Sequence, residues 1–329
     1  MTTRNPSSSS DSTCPPDRPT GPHSYSTSPQ TTAASQPFRD ANTSPVSQAK
    51  NPPTRPSRYV GKRRRQQIRA ELLERDRAVL AGLLEHRFQT SRQIAQFHFA
   101  DHANVATSER VARRALARLE REQLIRAVDG RRVGGLTAGS AISTWHLTGA
   151  GYRVLTGRSD RYRRHDPTTR FLKHTLAIAD AHLIVLAVAR NMHATADVAI
   201  EGAASRNYPG LGGERQQLQP DLAAVIRGQD TEGVFEDRWF IEVDLGTESI
   251  PTLVAKCEAY ETYRRSGLEQ ADTGGSFPLV LWIFDSERAA SRVLALTGRV
   301  HRLGRLDPLL FRFATAESLQ QTLSTGGAL

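Results

Sequence analysis

Between residues 220 and 260 the chain admits few folds. Pro220-Asp221 opens an apolar strand, Leu222-Ala223-Ala224-Val225-Ile226, and a polar turn follows, Arg227-Gly228-Gln229-Asp230. Trp239-Phe240-Ile241-Glu242-Val243-Asp244 then reads as a second strand. Side chains alternate along a strand, so Glu242 and Asp244 share one face and Ile241 and Val243 the other. Antiparallel pairing sets the start of the first strand beside the end of the second, and so Asp221 beside Glu242 and Asp244. Carboxylates gathered at one sheet end repel one another, and a divalent cation such as Mg²⁺ relieves them. Glu201 ends the preceding strand, 196–201, and a further antiparallel pairing brings it to the same place. The expected metal set is therefore Asp221, Glu242 and Asp244, with Glu201 as a fourth.

The elements around this stretch read as mixed α/β. A long helix at 170–191 carries Phe171, Leu172, Leu176, Ile178, Leu183, Leu186 and Val188. Its His174 and His182 read as hydrogen-bonded packing residues rather than ligands. Residues 203–218 read as a loop. The helix at 247–265 places Glu248, Thr252, Lys256 and Tyr260 four apart, on one face. Residues 277–284 form the most apolar run and suit a central strand. A helix at 286–302 and a strand at 309–313 complete the order of helix, three strands, helix, strand, helix, strand.

Upstream, 66–86 has apolar residues at helical spacing, and Thr90 or Ser91 caps a short helix at 92–97. Ser108 is expected to cap a third helix that runs to Leu124, with Val111, Ala115, Leu116 and Leu119 on its inner side. Arg110, Arg113, Arg114, Arg118 and Arg121 lie on its other side. Strands at 125–128 and 142–147 flank a glycine-bearing turn with Arg131 and Arg132, and another helix starts at Thr148. Helix, helix, basic helix, hairpin is the order of a winged helix-turn-helix, whose third helix enters the major groove. The named arginines are the expected contacts to double-stranded DNA. The basic burst at 58–65 reads either as a phosphate grip or as a solubilising helix start.

The net charge of +10 is uneven, with a strongly basic middle and a mildly acidic C-terminal part. Residues 1–57 are rich in Ser, Thr and Pro and read as a disordered tail. The division expected is tail 1–57, DNA-binding domain 58–165 and second domain 166–329. The only cysteines are Cys14 and Cys257, so a disulfide or zinc framework is not expected and a reducing, cytoplasmic setting fits. Without an apolar run of 18 residues, no membrane span is expected. The N-terminus lacks the apolar segment of a secretory signal.

The C-terminal order, with Asp221 on the second strand and Glu242 on the third, resembles the PD-(D/E)xK nuclease fold, a restriction-endonuclease-like α/β domain. The resemblance implies metal-binding roles for Asp221 and Glu242. Asp244 stands where that fold carries a lysine, and Lys256 on the next helix could reach back to replace it. The chain from about 75 to 285 is also similar to the replication-relaxation family of bacterial plasmid and mobile-element proteins. That likeness is carried by Leu147-Thr148-Gly149-Ala150-Gly151, His174, Pro220-Asp221 and Glu242-Val243-Asp244-Leu245-Gly246-Thr247-Glu248 with Lys256 and Tyr260. It implies a role in plasmid replication and DNA relaxation.

Two functions remain open. In the first, Asp221, Glu242, Asp244 and Lys256 form the catalytic set of a metal-dependent DNA endonuclease, in which Lys256 stabilises developing charge. In the second, the chain is a non-catalytic DNA-binding regulator, Asp244 caps the helix near Thr247, and Glu248 pairs with Lys256 or the helix N-terminus. Self-association into a homodimer and contacts with other replication proteins are left open. The sequence has no Gly-x-x-x-x-Gly-Lys-Ser/Thr motif to hold ATP. It also lacks a relaxase pattern of clustered histidines with a catalytic tyrosine.

Overall fold

The computed structural model describes residues 60–128, 142–162, 167–210, 212–231 and 233–327. The expected tail, Cys14, Arg131 and Arg132 lie outside the described residues. The first expected helix is two. In α1 (Lys62–Glu71) and α2 (Glu74–Glu85) the break falls at Leu72 and Leu73, which are extended. Glu74 and Asp76 then occupy the first turn of α2, where the helix dipole favours negative charge. An unexpected short strand, β1 (Phe88–Thr90), comes before α3 (Ser91–His98). Thr90 and Gln93 form a reciprocal capping box at the start of α3.

Helix α4 (Val105–Arg121) starts earlier than expected. Asn104 caps it by accepting from Thr107 N, while Ser108 is buried one turn in and donates to Phe99 O at 2.7 Å. Next come β2 (Ile125–Ala127), β3 (Thr144–Leu147) and α5 (Gly149–Thr156). The three strands form an antiparallel sheet in the order β1-β3-β2. Thr148 caps α5, and its hydroxyl donates to Gln123 O and Leu124 O. A Cβ at Gly151 would lie 2.1 Å from Leu124 O, so only glycine lets α5 start this close to β2. Val79, Leu80 and Leu83 of α2 pack with Ile94 of α3 and with Leu116 and Leu119 of α4 to form the core of this N-terminal lobe.

Helix α6 (Thr169–Asn191) leads into β4 (Thr195–Ile200). The expected loop at 203–218 is instead a hairpin of β5 (Arg206–Pro209) and β6 (Arg215–Leu218). Its composition is polar, but Tyr208 and Leu218 are buried, and Arg206 pairs with buried Glu269, which also accepts from Tyr263. There follow β7 (Leu222–Gln229), β8 (Val234–Asp244), α7 (Ile250–Ser266), α8 (Leu268–Asp272) and β9 (Leu279–Phe284). The last elements are α9 (Ala289–Arg302), β10 (Phe311–Thr315) and α10 (Leu319–Ser324).

The main sheet runs β10-β9-β8-β7-β4. As expected, β7 pairs antiparallel with both β4 and β8; β9 pairs parallel with β8 and β10. Helices cover both faces. Trp239, Ile241, Leu281 and Ile283 pack with Ile178, Val185 and Val188 of α6 and with Leu319 of α10. Phe240, Val280, Trp282 and Phe284 pack on the other face with Leu253 and Tyr260 of α7 and with Leu296 of α9. Two covered faces make these strands apolar at nearly every position, and each buried side chain is worth about 1.5–3 kcal/mol.

By length and composition alone α6 is long and apolar enough to cross a membrane, its 18-residue window having a mean hydropathy of 1.6. Yet 56% of that window is buried inside the protein. Its sheet-facing side lies in the main core, while Leu172 and Leu176 pack on Phe88 of the N-terminal lobe. A helix covered on two sides is apolar nearly all round. Gln93 of α3 adds a polar tie, donating to Leu176 O at 2.8 Å and to Asp180 at 2.7 Å. The expected boundary at 165/166 falls between α5 and α6, and the described residues from 60 onward make one compact unit.

Where α2, α3 and α6 meet, His86 Nε2 lies 3.1 Å from His182 Nδ1, and His98 Nε2 is buried without a hydrogen-bond partner. Burial, then the neighbouring His182 and His98, pushes His86 down to about 3. Burial lowers His182 to about 4, and burial with the Arg75 charge lowers His98 to about 4. At these three histidines the unfolded chain therefore binds more protons than the folded one below the ordinary histidine pKa of about 6.5. Stability should fall as pH drops from about 6.5 towards 4. Thermal melts across that range should show the decline, and a His86→Gln/His182→Gln variant should show a shallower slope.

Candidate functional site

The register of β7 and β8 pairs Leu222 with Ile241, which sets Asp221 opposite Glu242. Asp221 is fixed from two sides. Its Oδ2 accepts from Val243 N at 2.8 Å, and its Oδ1 accepts from His174 Nε2 of α6 at 3.1 Å. Glu242 is only 4% exposed. Its Oε1 accepts from the Tyr260 hydroxyl at 2.6 Å, and its Oε2 lies 3.4 Å from Lys256 Nζ. Lys256 also pairs with Glu248 at 3.1 Å, with its ammonium 5.8 Å from the centre of the Trp282 ring. Ser249 caps α7 and starts it at the turn that aims Lys256 and Tyr260, one helical turn apart, at the same carboxylate.

Burial, and then the charge of Asp221, raises the Glu242 pKa to about 7, against the pull of Lys256 and Tyr260. Burial works against the charge on Lys256, but Glu242, Glu248 and Asp221 outweigh it and raise its pKa. Burial and Glu242 hold Tyr260 well above the usual phenol range, so it is a neutral donor. The hydrogen bond to Asp221 raises His174 despite burial. The result is two adjacent carboxylates, one of them with its pKa raised to about 7, with a cationic lysine from α7 and a histidine from α6.

The other two expected ligands point elsewhere. Asp244 lies two residues beyond Glu242, at the end of β8, and is 4% exposed. Its Oδ2 accepts from Arg292 of α9, which also donates to Glu248 O, and its Oδ1 accepts from Gly246 N. Gly246 takes φ +76°, a left-handed conformation that suits the abrupt turn after β8. Asp244 thus neither caps α7 nor joins Asp221, because an arginine already supplies its counter-charge. Glu201 follows β4 and donates its own N–H to Asp221 O at 2.9 Å, but its carboxylate pairs with Arg87 at 2.5 Å. Among the described residues no three His, Cys, Asp or Glu side chains are grouped to hold a metal ion, so the expected four-carboxylate set is not assembled. The Asp221–Glu242 pair still suits a hard cation, since Mg²⁺ is commonly held by one or two carboxylates together with substrate phosphate.

On α4, Arg110, Arg114 and Arg121 lie along one exposed stripe, with Arg113 beside it. Arg118 differs from them. It donates to both oxygens of Asp76, at 3.0 and 2.6 Å, and that carboxylate is 3% exposed. Arg118 therefore braces α4 against α2. Arg64, from the basic burst, likewise donates to both oxygens of Glu122 at 2.7 Å. His174, Arg87 and Arg292 are site neighbours that residue patterns did not single out as functional. For His174 the signals were its polarity on a largely apolar helix and its place in the family likeness.

A model described as replication-relaxation matches residues 80–280, well over half of the chain, and the chain belongs to that family. Its membership supports a role in plasmid or mobile-element replication. No curated protein and no solved structure matches the chain.

Arg292→Ala would leave Asp244 buried and unpaired. Removing one partner of a buried ion pair typically costs about 3–5 kcal/mol. Chemical denaturation should show a loss of that order, and Asp244→Asn should recover part of it in the Arg292→Ala background.

Proposed function

We propose that the chain is a DNA-binding replication protein in which a winged helix-turn-helix, 58–165, presents duplex DNA to a restriction-endonuclease-like domain, 166–329, that hydrolyses phosphodiesters. The observation that carries this reading is Lys256 at 3.4 Å from Glu242, with Asp221 opposite Glu242 in the strand register. A lysine on the following helix supplies the charge that Asp244, at its strand position, cannot. Asp221 and Glu242 would hold Mg²⁺, which when bound polarises the phosphate and lowers the pKa of water. Tyr260 fixes Oε1 of Glu242 and leaves Oε2 towards Lys256. His174 orients Asp221, and Lys256 Nζ would stabilise negative charge on the phosphate oxygens.

One observation favours a second reading, a non-catalytic regulator that keeps the fold. Lys256 is shared between Glu242 and Glu248, and Asp244 is neutralised by Arg292. Plasmid nicking separates the two. Under the first reading, Mg²⁺ or Mn²⁺ raises the melting temperature by mass action and supports nicking. Asp221→Ala and Glu242→Ala should abolish both effects, whereas Lys256→Ala should lower the nicking rate and keep the metal-dependent stabilisation. A metal response without nicking favours the regulator, and no metal response in the wild type defeats the nuclease reading.

DNA binding should depend on the exposed stripe. Replacing Arg110, Arg113, Arg114 and Arg121 with Ala should weaken duplex binding and flatten its salt dependence by about 0.9 log units per lost phosphate contact. Arg118→Ala should instead lower the melting temperature and leave the salt slope unchanged. Electrophoretic mobility and anisotropy titrations across salt would check both.

A further inference from the structure

Arg87 pairs with Glu201, whose backbone N–H bonds the backbone carbonyl of Asp221. Arg87 belongs to the N-terminal lobe, between α2 and β1; Glu201 follows β4 of the main sheet. Neither residue is glycine, yet their φ values are +64° and +44°. L residues enter that region at a cost and stay there where the surroundings hold them. Their side chains form an ion pair at 2.5 Å. The Arg87 guanidinium also lies over the Phe171 ring, 5.6 Å from its centre, which fixes the direction of its fork. The Arg87 side chain remains 37% exposed.

Phosphates that approach Asp221 and Glu242 need positive partners, and Lys256 is already shared by two carboxylates. Arg87 joins the same spot through Glu201, whose N–H is bonded to Asp221 O. A guanidinium fork binds a carboxylate and a phosphate with the same bidentate geometry. We propose that Arg87 is a DNA-phosphate ligand lent by the N-terminal lobe to the acidic site, and that Glu201 stands in for the phosphate while DNA is absent. The proposal rests on the reading that the acidic site receives duplex DNA. It turns Glu201 from a metal ligand into a competitor for Arg87.

The test is anisotropy of a labelled duplex against the full chain, in chelator, across a salt series, with a melting curve for every variant. Glu201→Gln should bind DNA about three- to tenfold more tightly, because the competitor is gone. Arg87→Ala should weaken binding and reduce the salt slope by about 0.9, the loss of one phosphate contact. Arg87→Lys should keep the slope and lose part of the affinity. In the Arg87→Ala background, Glu201→Gln should have no effect. Should Arg87→Ala fail to fold, the Glu201→Gln and Arg87→Lys results decide. Unchanged affinity in Glu201→Gln, or a gain that survives in the Arg87→Ala background, overturns the proposal while DNA binding itself stands. A wild type that does not bind duplex DNA overturns both the proposal and the reading beneath it.

Discussion

Burial of α6 on two sides is the constraint on which the rest of the molecule depends. One side closes the main sheet through Ile178, Val185 and Val188, and the other receives Phe88 of the N-terminal lobe through Leu172 and Leu176. A helix in that position can keep few polar residues, and each needs a partner. His174 finds Asp221, Asp180 finds Gln93, and His182 finds His86. His174, Asp180 and His182 are therefore points where this helix ties the lobes together or touches the acidic pair, while the buried hydroxyl of Thr175 has no hydrogen-bond partner.

Glu242 and Asp244 lie on the same strand, equally buried, two residues apart, and their environments differ in kind. Asp244 meets a guanidinium that is itself held by Glu248 O and stacked near Phe284. That arrangement satisfies the charge and leaves little to exchange. Glu242 meets a flexible ammonium at 3.4 Å and a phenol, beside a second carboxylate, and its pKa rises to about 7. Incomplete compensation marks it as the chemically responsive member of the two.

The parts legible in the sequence were those set by short-range periodicity. Alternation along 239–244 and the pairing of its strand with 222–226 correctly set Asp221 beside Glu242. The four-residue spacing of Lys256 and Tyr260 correctly put them on one face of a helix. What pattern alone missed was the choice between distant partners. Asp244 meets Arg292 from 48 residues away, and Arg118 meets Asp76 from 42 residues away. An arginine on an exposed face looks the same in sequence whether it faces solvent or a buried carboxylate. The hairpin at 206–218 was hidden for a similar reason, because its stability comes from Glu269 and Tyr263 in a later part of the chain.

Sharing α6 has a metrical consequence. Helix α4 packs against α3, α3 is tied to α6 by Gln93, and α6 holds Asp221 through His174. The spacing between the arginine stripe and the acidic pair is thus carried by packed helices rather than by a linker. Under the proposed reading of that stripe as a duplex contact, a fixed spacing would be a fixed number of base pairs and a fixed face of the groove. The fold is in that sense a ruler, with α6 as its rigid edge.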